Sequence, residues 1–316
     1  MTGQSDELAD LLASGERAAF HGPPGAGVDP LRSAAELAAS QGRTAEGLLA
    51  TWLLGVTLGA SGRYGSALSV LEPLGASCVP GDDSGPEARL VAALAAATAA
   101  SVHRQLGRHA AAAQRDQHAL ALALVGEAPA EGLDEPAFDA RLGLAADAVG
   151  LGDAAEAHRR LDEAAGVAAA HPQWWRQRVR LDWVRAEIAL LEGEAAPAVR
   201  AAQAALSLSE RSGAPRHTAK SLLFVGVSLL QDGQPDEGAA ALRRAGLLAE
   251  GLGALPLVWP SRAMLGALVA ESDPAESARA LASARSAVLA LAEDLTEELR
   301  AEWLARPDIA ALLGTG

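Results

Sequence analysis

Cysteine and lysine are almost missing from this chain of 316 residues: Cys78 is the only cysteine and Lys220 the only lysine. A single cysteine excludes a disulfide within the chain and a cysteine-based zinc site. No histidine pair has the HExxH arrangement of a zinc enzyme. The segment 22–29, GPPGAGVD, has the frame of a phosphate loop, but Val28 and Asp29 stand where lysine and serine or threonine are needed. We therefore expect neither a metal nor a cofactor.

Aromatic residues are also scarce, with six Trp, one Tyr and three Phe, whereas 50% of the chain is hydrophobic. The apolar residues are therefore mostly alanine, leucine and valine. Side chains this small allow helices to approach one another closely. The composition favours a core of tightly packed helices.

Positive charge is in deficit, because 26 basic residues against 40 acidic residues give a net charge of −14. This charge opposes the phosphate backbone of nucleic acids and the anionic surface of a membrane. The start of the chain has no basic region before an apolar core, and polar residues interrupt every long apolar run. The sequence predicts a soluble, cytoplasmic chain that binds neither nucleic acid directly nor a membrane.

The segment 53–74, LLGVTLGASGRYGSALSVLEPL, contains the pattern that organises the chain. Its first half gives one apolar helix face, in which Gly55 and Gly59 leave gaps for a neighbouring helix. Gly62 stands where a left-handed residue would end this helix, and Ala67 and Leu71 form the inward face of a second one. The pattern predicts an antiparallel helical hairpin, which needs stacked neighbours to bury both of its apolar faces.

The turn of this hairpin recurs along the chain at spacings of 45, 45, 41, 40 and 39 residues. The turn positions are Gly62, Gly107, Gly152, Gly193 and Gly233, with Ser272 in the sixth pair. No segment shows the alternation of a β-strand. We therefore predict an all-α solenoid of antiparallel helix pairs, a single domain over 1–316. It would comprise a leading helix pair over 1–43, six repeats over 44–290 and capping helices over 291–316.

These hairpins resemble the tetratricopeptide repeat family. The matching residues are Leu54, Gly55, Leu58, Gly62, Tyr64, Ala67 and Leu71. The resemblance extends over about residues 44–290, although the period is nearer forty than the ~34 residues usual in the family. Repeats of this length, and the closing ELRAEWLARPDIAALL, resemble the sensor regions of large bacterial transcriptional activators.

The resemblance implies a right-handed superhelix with a concave groove, lined by the first helix of each pair, that binds a peptide or a partner protein. In one type of groove, a clamp containing an asparagine holds a peptide carboxylate. That asparagine is missing, because its positions hold Val56, Ser101, Ala146, Glu187, Val227 and Gly266. A ligand held by its terminal carboxylate is therefore not expected.

The predicted groove contacts are aromatic and charged residues of the first helices: Trp52, Arg104, Arg180, Trp183, Glu187, Lys220, Phe224, Trp259 and Arg262. Trp and Arg often contribute much of the energy of an interface. Two alternatives remain open. The tryptophans can belong to the core, and the arginines can be surface charges paired with nearby carboxylates. If Trp183 lies in the groove, Trp183→Ala should weaken partner binding and change the melting temperature little.

The leading functional hypothesis is a non-catalytic, regulatory scaffold that binds a protein or peptide in this groove. The alternative is a ligand-responsive regulator, in which a small molecule or short peptide changes the affinity for a transcription or signalling partner in a bacterium. No catalytic triad or nucleophile motif is present, so an enzyme is not expected. A homodimer is compatible with the sequence.

Overall fold

The computed structural model describes residues 2–81, 83–125 and 128–314, and these form sixteen α-helices. The first eight are α1 (Thr2–His21), α2 (Val28–Ser40), α3 (Thr44–Ser61), α4 (Tyr64–Gly75), α5 (Pro86–Gln105), α6 (His109–Ala123), α7 (Asp134–Gly150) and α8 (Ala154–Ala169). The others are α9 (Trp175–Leu191), α10 (Ala195–Arg211), α11 (Pro215–Gln231), α12 (Pro235–Leu252), α13 (Leu255–Leu268), α14 (Pro274–Glu293), α15 (Glu297–Ala305) and α16 (Pro307–Leu313). A short 3₁₀ turn, Pro24–Gly27, precedes α2.

The helices pack in consecutive pairs, as the repeat pattern predicts. The chain divides into two compact units, one of residues 1–59 and 64–173 and the other of residues 60–63 and 174–316. In the first unit, α5 packs on α6 and also on α7. In the second unit, α9 packs on α10 and on α11, and α11 packs on α12 and on α13. First helices of successive pairs therefore contact one another, and the all-α helical-repeat fold is confirmed. A single domain over 1–316 stays a prediction.

The turns between paired helices confirm the glycine positions. Gly62, Gly107, Gly152, Gly193 and Gly233 all have a positive φ, between 76° and 93°. This left-handed conformation costs a residue with a Cβ roughly 1–2 kcal/mol. The sixth turn is built differently, because no non-glycine residue among those described has a positive φ. There Asp273 caps α14 by accepting a hydrogen bond from the backbone N–H of Glu276 at 2.8 Å.

Close helix packing depends on glycines within the helices as well. A Cβ at Gly226 of α11 would lie 2.7 Å from Cγ of Leu242 on α12. Gly55 of α3 stands in the same relation to Leu71 of α4. The gap that the sequence predicts at Gly55 is therefore filled by a leucine of the second helix.

The repeat pattern does not predict the short strand pair that follows α6. Between α6 and α7, the two-residue strands β1 (Leu124–Val125) and β2 (Ala128–Pro129) pair antiparallel, with Leu124 opposite Pro129. These two-residue strands leave the predicted all-α fold class unchanged. The segment is too short to show the alternation by which a strand is recognised.

None of the helices within the described ranges combines the length and apolar character needed to cross a lipid bilayer.

Candidate functional site

Trp52 and Trp183, which share a repeat position, both lie between first helices of successive pairs. Their exposed fractions are 7% and 6%. The indole N–H of Trp52 on α3 donates to Oγ1 of Thr98 on α5 at 3.0 Å. That of Trp183 on α9 donates to Oγ of Ser221 on α11 at 2.9 Å. Both indoles pack within the fold and leave little ring surface for a partner.

Around Trp183, aromatic and basic side chains of α9 and α11 form a cluster that is only partly buried. We call it the α9–α11 cluster, and it consists of Trp175, Trp183, His217, Lys220 and Phe224. His217 stacks on Trp183 with ring centroids 5.5 Å apart, and Trp175 meets its edge at 5.1 Å. Phe224 stacks on the Trp183 ring at 6.3 Å. Trp175, Lys220 and Phe224 are half-buried, so the cluster reaches the surface.

Lys220 lies over the aromatic rings of this cluster. Its Nζ is 4.5 Å from the ring centroid of Trp183 and 5.6 Å from that of Phe224. An ammonium at these distances is attracted by the negative face of each ring. The only lysine of the chain is therefore held in place by two of the predicted site residues.

Positive charge is concentrated around His217, which is only 2% exposed. Burial, followed by the charges of Arg216, Arg176, Arg180 and Lys220, holds the pKa of His217 well below its ordinary value. His217 is therefore neutral at neutral pH. The predicted residues Arg180 on α9 and Lys220 on α11 both act electrostatically on this imidazole.

Arg104 lies in the first unit, where it pairs with two buried carboxylates. Its Nη1 donates to Oδ2 of Asp116 on α6 at 2.9 Å and to Oδ2 of Asp147 on α7 at 2.6 Å. It also donates to the carbonyl of Gly143 at 3.0 Å. Both carboxylates are buried, with Asp116 fully enclosed. For Arg104, the structure therefore agrees with the alternative that the arginines pair with carboxylates of their own chain.

Asp116 occupies a position that is leucine in four of the six repeats, namely the one equivalent to Leu71, Leu161, Leu242 and Leu281. Burial raises the pKa of Asp116 to about 7, although the positive charge of Arg104 acts in the opposite direction. Asp147 and Asp139 raise it further. Asp116 therefore holds its proton to a higher pH than an exposed aspartate does, chiefly because it is buried.

Trp259 and Arg262, on α13, also make contacts within their own unit. The Trp259 ring meets the edge of Trp303 on α15, with centroids 6.0 Å apart. The Arg306 guanidinium lies 4.9 Å from the Trp303 ring centroid and 5.9 Å from that of Trp259. Arg262 forms a two-point ion pair with Glu250 of α12, at 2.8 and 2.5 Å. These two residues join the last repeat to its neighbours.

The structure thus brings four of the predicted site residues together, namely Arg180, Trp183, Lys220 and Phe224. Glu187 is half-buried on α9, one turn beyond Trp183. The sequence analysis did not single out His217 or Ser221, because each is defined by its contact with Trp183 on another helix. Trp174 and Trp175 were a usable signal, because Trp174 is the N-cap of α9 and Trp175 is its first residue. No group of three or more potential metal-binding side chains occurs in the part of the chain that the structure describes.

Comparison with protein-family models and with curated protein sequences gives no match. Solved structures do match. A Rap protein complexed with competence and sporulation factor aligns at a TM-score of 0.65 with 11% identity, over 98% of this chain and 80% of that chain. Aspartyl phosphate phosphatase F from Bacillus subtilis aligns at 0.50 with 12% identity, over 100% and 83%. A tetratricopeptide repeat protein from Parabacteroides merdae aligns at 0.43 with 12% identity, over 95% and 98%.

At such low identity these similarities concern the fold. Together with the paired helices and the left-handed turn glycines, the alignment at a TM-score of 0.65 shows a helical-repeat fold of the tetratricopeptide type. The resemblance drawn from the repeat pattern is confirmed at this level.

Proposed function

We propose that the protein is a non-catalytic regulatory scaffold, which binds a segment of a partner protein or a peptide across the first helices α9 and α11. The observation that carries this proposal is the α9–α11 cluster, in which two successive first helices present aromatic rings and basic groups at one surface. Trp175, Lys220 and Phe224 remain half-buried there, although the ring of Trp183 is enclosed. Partly exposed aromatic and basic side chains over a rigid, packed base are typical of a protein interface.

A helical-repeat scaffold suits this role because its first helices present one side chain after another along a continuous surface. Four of the predicted groove residues lie on helices other than α9 and α11, namely Trp52 on α3, Arg104 on α5, and Trp259 and Arg262 on α13. The site that we propose is therefore smaller than the predicted groove. It comprises Arg180, Trp183, Glu187, Lys220 and Phe224, with Trp175 and His217.

The alternative is a ligand-responsive regulator, in which a small molecule or short peptide binds and changes the affinity for a second partner. One observation favours it: the Rap protein with the same fold, at a TM-score of 0.65, is complexed with competence and sporulation factor. The two functions differ in what the ligand does. In a scaffold the bound protein is itself the target, whereas in a regulator the ligand alters the binding of another protein.

The proposal is tested with a matched pair of charge reversals in one unit. Lys220→Glu changes the cluster, and Arg200→Glu changes an exposed position on α10. Each tagged variant is shown to be folded by circular dichroism and then used to capture proteins from an extract of the source organism. Each captured protein is purified and its affinity is measured by titration calorimetry.

We expect a purified partner that binds the wild type and Arg200→Glu equally, and Lys220→Glu at least ~10-fold more weakly, a loss of about 1.4 kcal/mol. Equal binding to all three proteins would place the partner elsewhere and contradict the proposal. Competition of a small molecule or short peptide with the purified partner, or enhancement of its binding, would favour the regulator.

A further inference from the structure

Helix α6 packs on α7 at two glycines of the first unit. A Cβ at Gly143 of α7 would overlap the carboxylate of Asp116, and a Cβ at Gly150 would overlap the imidazole of His109. Asp116 and His109 are about two turns apart on α6, and the two glycines are about two turns apart on α7. Two polar side chains of one helix therefore fill two gaps in the other.

Arg104 of α5 completes this contact. Its Nη1 donates both to Oδ2 of Asp116 and to Oδ2 of Asp147. The other oxygen of Asp147, Oδ1, lies 3.2 Å from Nδ1 of His109. We call these four residues the α6–α7 joint, namely Arg104, His109, Asp116 and Asp147. The joint connects three consecutive helices through polar side chains.

One oxygen of the joint is left without a donor. Asp116 is 0% exposed, and its Oδ1 accepts no hydrogen bond from the residues that the structure describes. A buried carboxylate oxygen that lacks a donor favours the protonated form of the group over the anion. In agreement with this geometry, burial raises the pKa of Asp116 to about 7. The joint therefore holds a proton that it can lose near neutral pH.

The charges that act on Asp116 come from both helices that pack against α6. From α5, Arg104 favours the ionised carboxylate, whereas Asp139 and Asp147 from α7 repel it. On α6 itself, the titratable neighbour in the joint is His109, which contacts Asp147 and adds positive charge when it is protonated. Loss of the proton from Asp116 thus places one more negative charge against the two carboxylates of α7.

A second ion-pair cluster beside α6 is separate from the joint. Oε1 of Glu72 on α4 accepts hydrogen bonds from Nε2 of His103 on α5 at 2.9 Å and from Nε of Arg115 on α6 at 3.0 Å. The hydrogen bond from His103, with the charge of Arg115, holds the pKa of Glu72 below its ordinary value. The carboxylate of Glu72 is therefore compensated by its own two partners.

We propose that the α6–α7 joint is a pH-sensitive switch, which holds α6 on α7 while Asp116 is protonated and loosens when Asp116 ionises. The ionised carboxylate is repelled by Asp139 and Asp147, and its Oδ1 gains a hydrogen bond from water only when α6 moves away from α7. The bound proton stabilises the contact at lower pH, and this stabilisation is lost as the pH rises through about 7. The inference is independent of the proposed function, because α9 and α11 belong to the second unit.

The switch is tested by hydrogen–deuterium exchange of the full chain at about pH 6 and about pH 8. Exchange chemistry itself depends on pH, so the wild type is compared with Asp116→Asn at the same pH. The amide of this variant has the shape of the carboxyl group and cannot ionise. We expect the ratio of exchange rates in α6 fragments, wild type over Asp116→Asn, to be roughly 10-fold larger at the higher pH, the equivalent of one pKa unit. In α10 and α12 this ratio should be the same at both pH values.

Two further variants make the test specific to Asp116. His109→Gln removes the other titratable neighbour on α6 and should show the same pH-dependent rise as the wild type. Asp116→Leu introduces the residue that four other repeats have at this position and should exchange like Asp116→Asn. Thermal melting identifies a variant that fails to fold, and the other Asp116 variant then decides the result.

Several results would overturn the inference. A ratio in α6 that is the same at both pH values would show that the joint does not respond to the proton. An equal rise in α10 and α12 would indicate unfolding of the whole chain instead of a local opening. Loss of the rise in His109→Gln would assign the response to the histidine. Failure of both Asp116 variants to fold would show that the carboxyl group serves folding itself.

Discussion

Trp183 donates its indole N–H to the hydroxyl of Ser221 at 2.9 Å, and this hydrogen bond links α9 to α11 in the centre of the proposed binding surface. Trp52 and Thr98 make the same kind of bond between α3 and α5. In both cases a first helix is joined to the next first helix by a buried indole. The base of the proposed site is therefore part of the packing between repeats, and a partner bound there would contact the groups that surround the indole.

The burial of Trp183 changes the result expected for its replacement. Trp183→Ala should lower the free energy of unfolding by about 3–5 kcal/mol, since it removes a large buried ring and leaves a cavity. Ser221→Ala should cost about 1–3 kcal/mol, because it leaves the indole N–H without its acceptor. Urea denaturation followed by circular dichroism measures both. A loss below ~1 kcal/mol in Trp183→Ala would restore the interpretation that the ring faces a partner.

The ion-pair network of Arg104 predicts a pH dependence of stability. The pKa of Asp116 is about 7 in the folded chain against an ordinary value of 3.8. Between these values the folded state holds a proton that the unfolded state has lost, so the free energy of unfolding falls as pH rises through this window. In Asp116→Asn this contribution is absent.

The measurement is urea denaturation of both proteins at about pH 5 and about pH 8. Relative to Asp116→Asn, the wild type should lose more than ~1.4 kcal/mol between the two, the equivalent of one pKa unit. Glu276→Gln removes a surface carboxylate that is paired with Arg243, and serves as the comparison. Equal pH dependence of the wild type and Asp116→Asn would show that Asp116 does not titrate in this range.

Two glycines of the second unit test how closely its helices pack. Gly226→Ala places a methyl group 2.7 Å from Cγ of Leu242 and should destabilise the fold by about 1–3 kcal/mol. Gly251→Ala on α12 meets nothing within 4 Å and should stabilise it by up to ~1 kcal/mol, through the higher helix propensity of alanine. Thermal melting of the two variants should therefore shift in opposite directions. A gain in both would mean that α11 and α12 can move apart without cost.

The repeat was predictable from the sequence because its signals are local. A glycine at the turn reflects the backbone of one residue, and the structure gives a positive φ at every glycine assigned to that position. A small residue such as Gly55 indicates that another helix packs closely at that position. In the structure that helix is the second helix of the same hairpin, and Leu71 is the residue that fills the space. Signals of this kind do not depend on distant parts of the chain.

The composition of the site was only partly predictable, because it depends on the rotation of each helix and on distant partners. Side chains at adjacent positions of a helix point roughly 100° apart. An error of one residue in the repeat register therefore decides whether Trp183 is assigned to the core or to the surface. Arg104 was placed among the partner contacts because its position fits a first helix. Its partners Asp116 and Asp147 lie 12 and 43 residues away on two other helices, and no spacing rule connects them. The basic groups around His217 are found only when α9 and α11 are packed together.

The location of the partner is tested most directly by hydrogen–deuterium exchange, measured on the full chain with and without saturating purified partner. The account predicts slower exchange in fragments of α9 and α11, where the ligand covers the cluster, and unchanged exchange in α10 and α12. The same experiment with Lys220→Glu should show no protection. Protection confined to other helices, with α9 and α11 unchanged, would contradict the claim that the α9–α11 cluster is the binding site.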